Sequence, residues 1–310
     1  MQKKIIVSVD DSRHSKNAVQ YAARMSESIP TLHYVLFHVQ PMISLFLQEE
    51  ARKNLKTRLE LDKLSEKNDQ AAKKLLNGLK EEMVRMGVDA ERIEIATQRR
   101  KRGLAKDILE YSQDNHYDAI LIGRRGLTRL QEMVMGSASA NIIEHSRIIP
   151  TWLVDGEVTG SKIMAAVDGS ESSLRAIDHL AFMISGNPDI RATLLHVTSR
   201  ARDYCEVDFS EEPSEALEEI IARGDKACID QFYSHAMQKF KNSGISEDQL
   251  EMITLKGGGN AGKIILEAAQ KDACGTLIIG RSGMDRAFFM GGVSRYIISK
   301  ASNCALWIVP

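Results

Sequence analysis

Aromatic residues make up only 5% of this 310-residue chain, which also has just six prolines and four cysteines. Cys205, Cys228, Cys274 and Cys304 all fall in the second half. None forms a CxxC pair and no histidine cluster completes a zinc pattern, so the thiols read as reduced, with neither a disulfide framework nor a metal site. No apolar run reaches the ~18–20 residues that span a bilayer. Met1 to Val9 holds two lysines and a short apolar run, but Asp10 and Asp11 close it too early for a signal peptide. The expectation is a cytoplasmic protein without membrane contact. An excess of one charge is missing too. The net charge is −1, with 25 Lys+Arg against 21 Asp+Glu in residues 1–155 and 16 against 21 in 156–310. Neither half carries a nucleic-acid footprint. No G-x-G-x-x-G follows the first strand and no G-K-[ST] occurs, which excludes the Rossmann fingerprint and the P-loop.

What is present is ordinary globular composition, 43% hydrophobic and 27% charged, at a length that predicts two domains. The chain is written twice. Lys4-Ile5-Ile6-Val7-Ser8-Val9-Asp10 matches Lys162-Ile163-Met164-Ala165-Ala166-Val167-Asp168 at an offset of 158. Ser12, Ser15, Ala18 and His38-Val39 recur at the same offset as Ser170, Ser173, Ala176 and His196-Val197. Gly123 and Gly126 match Gly280 and Gly283 at 157, and Gly136, Ser139 and Trp152 match Gly291, Ser294 and Trp307 at 155. A linker reads at Gly156–Gly160, giving domains over 1–156 and 161–310.

Each copy alternates strand and helix. The strands are predicted at Ile5–Val9, Tyr34–Val39, Arg92–Ala96, Ala119–Ile122 and Thr151–Val154. In the second copy they fall at Ile163–Val167, Thr193–Val197, Gln249–Leu255, Thr276–Ile279 and Ala305–Val309. Leu75, Leu79, Met83 and Met86 form one helical stripe; Leu174, Ile177, Ala181 and Ile184 form another. The pattern is α/β, two tandem open parallel sheets covered on both faces. Glu49–Lys67 reads as an exposed helical excursion.

The chemistry gathers after the fourth strand. Gly123-Arg124-Arg125-Gly126 is followed nine residues later by Gly136-Ser137 at a helix start. Glycines admit close approach of backbone N–H groups, and a helix N-terminus offers unpaired donors and positive dipole, which suits phosphate. Ser137 suits an N-cap. Asp10, at the carboxyl edge of the sheet, suits ribose hydroxyls. A mononucleotide fits this pattern; a turn, a cap and a structural loop are the plain alternatives.

These residues resemble the universal stress protein family, over nearly the whole chain as two tandem domains. The resemblance implies a five-stranded sheet of order 3-2-1-4-5 in each domain, and ATP or AMP as ligand in nucleotide-binding members, with Mg an open question. By position, Asp10 would bind ribose or adenine and the Val39 backbone would meet the adenine. Gly123, Arg125, Gly126, Gly136, Ser137 and Ala138 would line the phosphate path. In the second copy the counterparts are Asp168, Val197, Gly280, Gly283, Gly291, Gly292 and Val293. Single-domain relatives usually dimerise, so intramolecular domain pairing through the last strands is expected, with a homodimer and an unknown protein partner open.

The second copy departs from the pattern. Only seven residues separate Gly283 from Gly291, and Gly292 replaces the serine, so weaker binding is expected there. In the first copy Asp11 replaces the glycine seen as Gly169. Arg124 and Arg125 could offset its charge or stand as solvated loop residues. Arg99–Arg102 reads as a solvated loop, His38 and His196 as core histidines, and Trp152 and Trp307 as core or interface. Asp203, Glu206, Asp208, Glu211, Glu212, Glu215, Glu218 and Glu219 form an acidic run that would disfavour nucleotide in the second copy. Three functions compete: a nucleotide-binding stress-response regulator with no catalytic residue, a slow ATPase, and an interaction module without nucleotide.

Overall fold

The structure, a computed structural model, describes residues 2–124, 135–200, 214–282 and 290–310. Arg125, Gly126, Gly283, Cys205 and the acidic residues from Asp203 to Glu212 lie outside the described residues. The chain divides into two compact units, Met1–Val154 and Asp155–Pro310.

In the first unit the strands are β1 (Lys3–Ser8), β2 (Leu32–Gln40), β3 (Ile93–Arg99), β4 (Ala119–Gly123) and β5 (Thr151–Asp155). They run parallel in the order β3-β2-β1-β4-β5, the order implied by the resemblance. The helices are α1 (Arg13–Ser28), α2 (Leu45–Lys53), α3 (Leu55–Arg85), α4 (Leu104–Asp114) and α5 (Ser137–His145). Right-handed crossovers put α1 and α3 on one face and α4 and α5 on the other; α1 packs on α3 and α4 on α5. Covered on both faces, the inner strands are apolar runs rather than alternating ones: Ile5, Ile6 and Val7 of β1, and Ala119 to Ile122 of β4, are all buried. The edge strand β3 is different. Glu94 and Ile95 are exposed, and Glu94 pairs with Lys4 at 2.9 Å, a charge that blunts the edge.

The second unit repeats the plan with β6 (Lys162–Val167), β7 (Ala192–Val197), β8 (Leu250–Leu255), β9 (Cys274–Gly280) and β10 (Cys304–Val309), in the order β8-β7-β6-β9-β10. Its helices are α6 (Glu171–Ile184), α7 (Glu215–Asn242), α8 (Ala261–Lys271) and α9 (Gly292–Lys300).

Two helical stripes shift slightly from expectation. On α3 the buried residues are Ser65, Ala72, Leu76, Leu79 and Met83, with Leu75 and the capping Met86 half-buried. On α6, Ile177, Ala181 and Ile184 are buried and Leu174 is half-buried. The charged excursion is helical and exposed, as its composition suggests: α2 has no buried residue. Arg99 ends β3, and the buried Asp107 carboxylate accepts from the N–H groups of Lys101 (2.7 Å) and Arg102 (3.0 Å). The basic run is therefore a loop folded onto the start of α4.

Candidate functional site at the carboxyl edge of each sheet

Both units place a hollow beyond the carboxyl ends of their central strands. In the first it measures about 50 Å³ and is lined by Asp10, Val39, Gly123 and Ala138 among others. In the second it measures about 140 Å³ and is lined by Asp168, Val197, Gly280, Gly291, Gly292 and Val293. Residues 155 to 158 positions apart in the two halves thus line matching walls. Gly136 and Ser137 stand at the start of α5, next to Ala138 of the first hollow.

The turn after β1 is held by a lock that recurs in both units. Asp10 Oδ1 accepts from the Ser15 hydroxyl (2.6 Å) and the Ser12 N–H (3.0 Å), while the Asp10 N–H donates to Ser15 Oγ (2.8 Å). Ser12 caps α1 by accepting from the Ser15 N–H. Asp168, Ser170 and Ser173 repeat the arrangement at 2.6, 3.1 and 3.2 Å. One carboxylate oxygen is thereby committed to the fold. The other, Oδ2, has no bonded partner among the described residues. Sequence alone marked Ser15 and Ser173 as repeated without assigning them this role. A second pair, Ser139 and Ser294, ties the first turn of α5 and α9 back to the strand: their hydroxyls donate to the Gly123 carbonyl at 2.8 Å and the Gly280 carbonyl at 2.7 Å.

The glycines divide into two kinds. A Cβ at Gly123 would lie 2.6 Å from the His14 carbonyl oxygen, and one at Gly280 would lie 2.6 Å from Ser172 Oγ. Close packing of β4 on α1, and of β9 on α6, requires both glycines, so their place in the phosphate path has a structural cause of its own. Gly136 (φ −59°) and Gly291 (φ −61°) instead adopt angles open to any residue, so backbone conformation does not demand glycine there. Each is the N-cap of its helix with no side-chain cap bond. This corrects the N-cap expectation for Ser137. Gly136 is the cap because its carbonyl accepts from the Ala140 N–H (2.9 Å), and Ser137 is the exposed first helical residue. Among the described residues no side chain bonds the first-turn N–H groups of α5 and α9.

Two further expectations change. Arg124 is buried rather than solvated. His38 is half-buried and lines the hollow, whereas His196 is a buried core histidine as expected. Both rings are oriented alike: Nδ1 of His38 meets the Val9 carbonyl at 2.8 Å and Nδ1 of His196 meets the Val167 carbonyl at 3.0 Å. Nε2 of His196 also reaches Asp225 at 2.9 Å. Among the described residues no group of three or more His, Cys, Asp or Glu is disposed to hold a metal ion, and no helix is long and apolar enough to cross a membrane.

Comparison with known proteins gives the same duplication. A search of curated proteins finds no match. Among solved structures, a universal stress protein from Archaeoglobus fulgidus DSM 4304 shares 15% identity over 99% of this chain and 97% of its own, with a TM-score of 0.64. A protein of unknown function from Pseudomonas aeruginosa PAO1 shares 14% identity over 99% of this chain and 92% of its own, at a TM-score of 0.58. At these identities the likeness is one of fold. The universal stress protein family model matches residues 1–155 and again residues 160–310. The chain belongs to the universal stress protein family, carrying two copies of its domain in tandem.

Proposed function

We propose that the protein is a cytoplasmic stress-response regulator that binds adenine nucleotide, ATP or AMP, at the carboxyl edge of its sheets. The observation that carries this reading is the pairing, in each unit, of an oriented aspartate with an uncapped helix N-terminus across one hollow. Asp10 Oδ2 would take ribose hydroxyls, and the Val39 backbone would meet the adenine. The N–H groups of Ser137 and Ala138, with the Ser137 hydroxyl, would hold phosphate beside Gly136. Asp168, Val197, Gly291, Gly292 and Val293 would serve likewise in the second unit, without the hydroxyl. The absence of a side chain at Gly136, in a conformation any residue could adopt, supports close approach of a ligand to the backbone.

Mass spectrometry of the extract from denatured purified protein, followed by calorimetric titration of the emptied protein with ATP and AMP, tests this. Adenine nucleotide in the extract, or saturable binding on titration, is the expected result. An empty extract together with no heat up to millimolar nucleotide would sink the proposal.

A further inference from the structure

Helices α3 and α7 correspond at an offset of 157. They end at Arg85 and Asn242, and each is followed by a left-handed glycine, Gly87 (φ +93°) and Gly244 (φ +74°). Met83 and Phe240 are fully buried at matching positions. The two units can therefore be compared residue by residue on the α1–α3 face, which adjoins the nucleotide hollow at Asp10 and His38.

In the second unit this face is filled. Asp225 of α7 presents its carboxylate to His196 Nε2 at 2.9 Å, with the Ser199 N–H at 3.4 Å from its other oxygen. Ile229 and Phe232 are buried behind it. The two ring nitrogens of His196 thus meet the Val167 carbonyl and the Asp225 carboxylate.

In the first unit every one of these fillers is smaller or uncharged. Asn68 stands for Asp225, Ala72 for Ile229 and Leu75 for Phe232. The result is an open cleft of about 690 Å³ whose lining includes His38, Asn68, Ala72, Leu75 and Gly78, a size suited to a small organic molecule. His38 keeps the orientation of His196, with Nδ1 on the Val9 carbonyl. Among the described residues its Nε2 has no partner. Lys16 and Lys74 stand at the cleft with Asp10, Asp11 and Glu82, two cations against three carboxylates, of which Asp10 has Oδ1 committed to the α1 lock.

The geometry points to the α1–α3 cleft of the first unit as a binding site for an organic carboxylate with an apolar body, its carboxylate meeting His38 Nε2 where the second unit supplies Asp225. The ligand brings the negatively charged acceptor that Asp225 supplies in the second unit and that the neutral amide of Asn68 does not. Its apolar body lies along Ala72, Leu75 and Leu79, in the volume that Phe232 and Ile229 fill in the other unit.

Decanoate, with decanol and acetate alongside, titrated into the full chain by calorimetry is the test. Decanoate should saturate a single site, with decanol and acetate at least tenfold weaker. Asn68→Asp restores the internal carboxylate and should weaken decanoate at least tenfold. Leu75→Phe combined with Ala72→Ile refills the cleft and should do the same. Should the double variant not fold, the near-isosteric Asn68→Asp decides alone. No saturation by decanoate, equal binding of decanol, or undiminished binding by Asn68→Asp would each overturn the assignment. Asn68 lines the cleft and not the nucleotide hollow, so the Asn68→Asp arm separates this outcome from nucleotide binding.

Discussion

His179 meets Trp307 edge-on, with ring centroids 5.5 Å apart and planes at 66°. The first unit fills the same place with Tyr21 against Trp152, at 6.4 Å and 80°. Burial holds the imidazole at a pKa of about 3, below its ordinary 6.5, so His179 is neutral in the folded protein. The unfolded chain takes up the proton first as pH falls. Stability is therefore lost as pH drops from 6.5 toward 3, reaching about 2 kcal/mol by pH 5. His179→Tyr, which installs the first unit's solution, should flatten this part of the pH dependence in denaturant melts. An unchanged pH profile would show that His179 does not drive it.

Gly136→Val should weaken ATP binding to the first unit by at least tenfold, because a branched side chain would sit over the N–H groups at the start of α5. Gly291→Val should cost less of the total affinity, since the second unit lacks the hydroxyl of Ser137, a donor worth about 1.5–3 kcal/mol to a charged phosphate. Calorimetry on both variants ranks the sites; equal losses would contradict the ranking.

Gly123→Ala places a methyl group 2.6 Å from the His14 carbonyl oxygen. Neither β4 nor α1 can give way cheaply in a packed core, and a loss of about 1–3 kcal/mol is expected. Chemical denaturation measures it. A change under 0.5 kcal/mol would mean that the strand and helix separate more easily than their packing implies.

Burial, with the Asp272 carboxylate beside it, pushes the Cys274 thiol up to about 11. At pH 8 about one part in a thousand is thiolate. Cys228 is exposed. Alkylation followed by peptide mapping should modify Cys228 at least tenfold faster than Cys274, and comparable rates would refute the buried environment.

Much of the architecture was legible because duplication supplied an internal check. A strand at Ile5–Val9 is a guess taken alone; repeated as Ile163–Val167 at one offset, it is a pattern. The offset also exposed Ser15 and Ser173, but their purpose needed the turn that brings each back onto its aspartate five residues earlier. Gly123 illustrates the limit. It was assigned to ligand approach, yet its nearest constraint is His14, which lies 109 positions away in sequence. No local reading connects them. The cleft beside α3 escaped for another reason. Its walls are ordinary helix residues, and Asn68 gains meaning only when set against Asp225, through helix ends that sequence did not align. The loop arginine Arg124 read either as an offset to the Asp11 charge or as a solvated residue; the fold buries it, which removes the second reading.

The lock of Asp10 by Ser12 and Ser15 also bears on kinetics. A carboxylate already fixed by two hydrogen bonds on one oxygen loses little rotamer freedom when something docks against its remaining oxygen. Association at that point has no slow ordering step to wait for, so residence time, set by how many contacts must break on departure, is where the two copies can diverge.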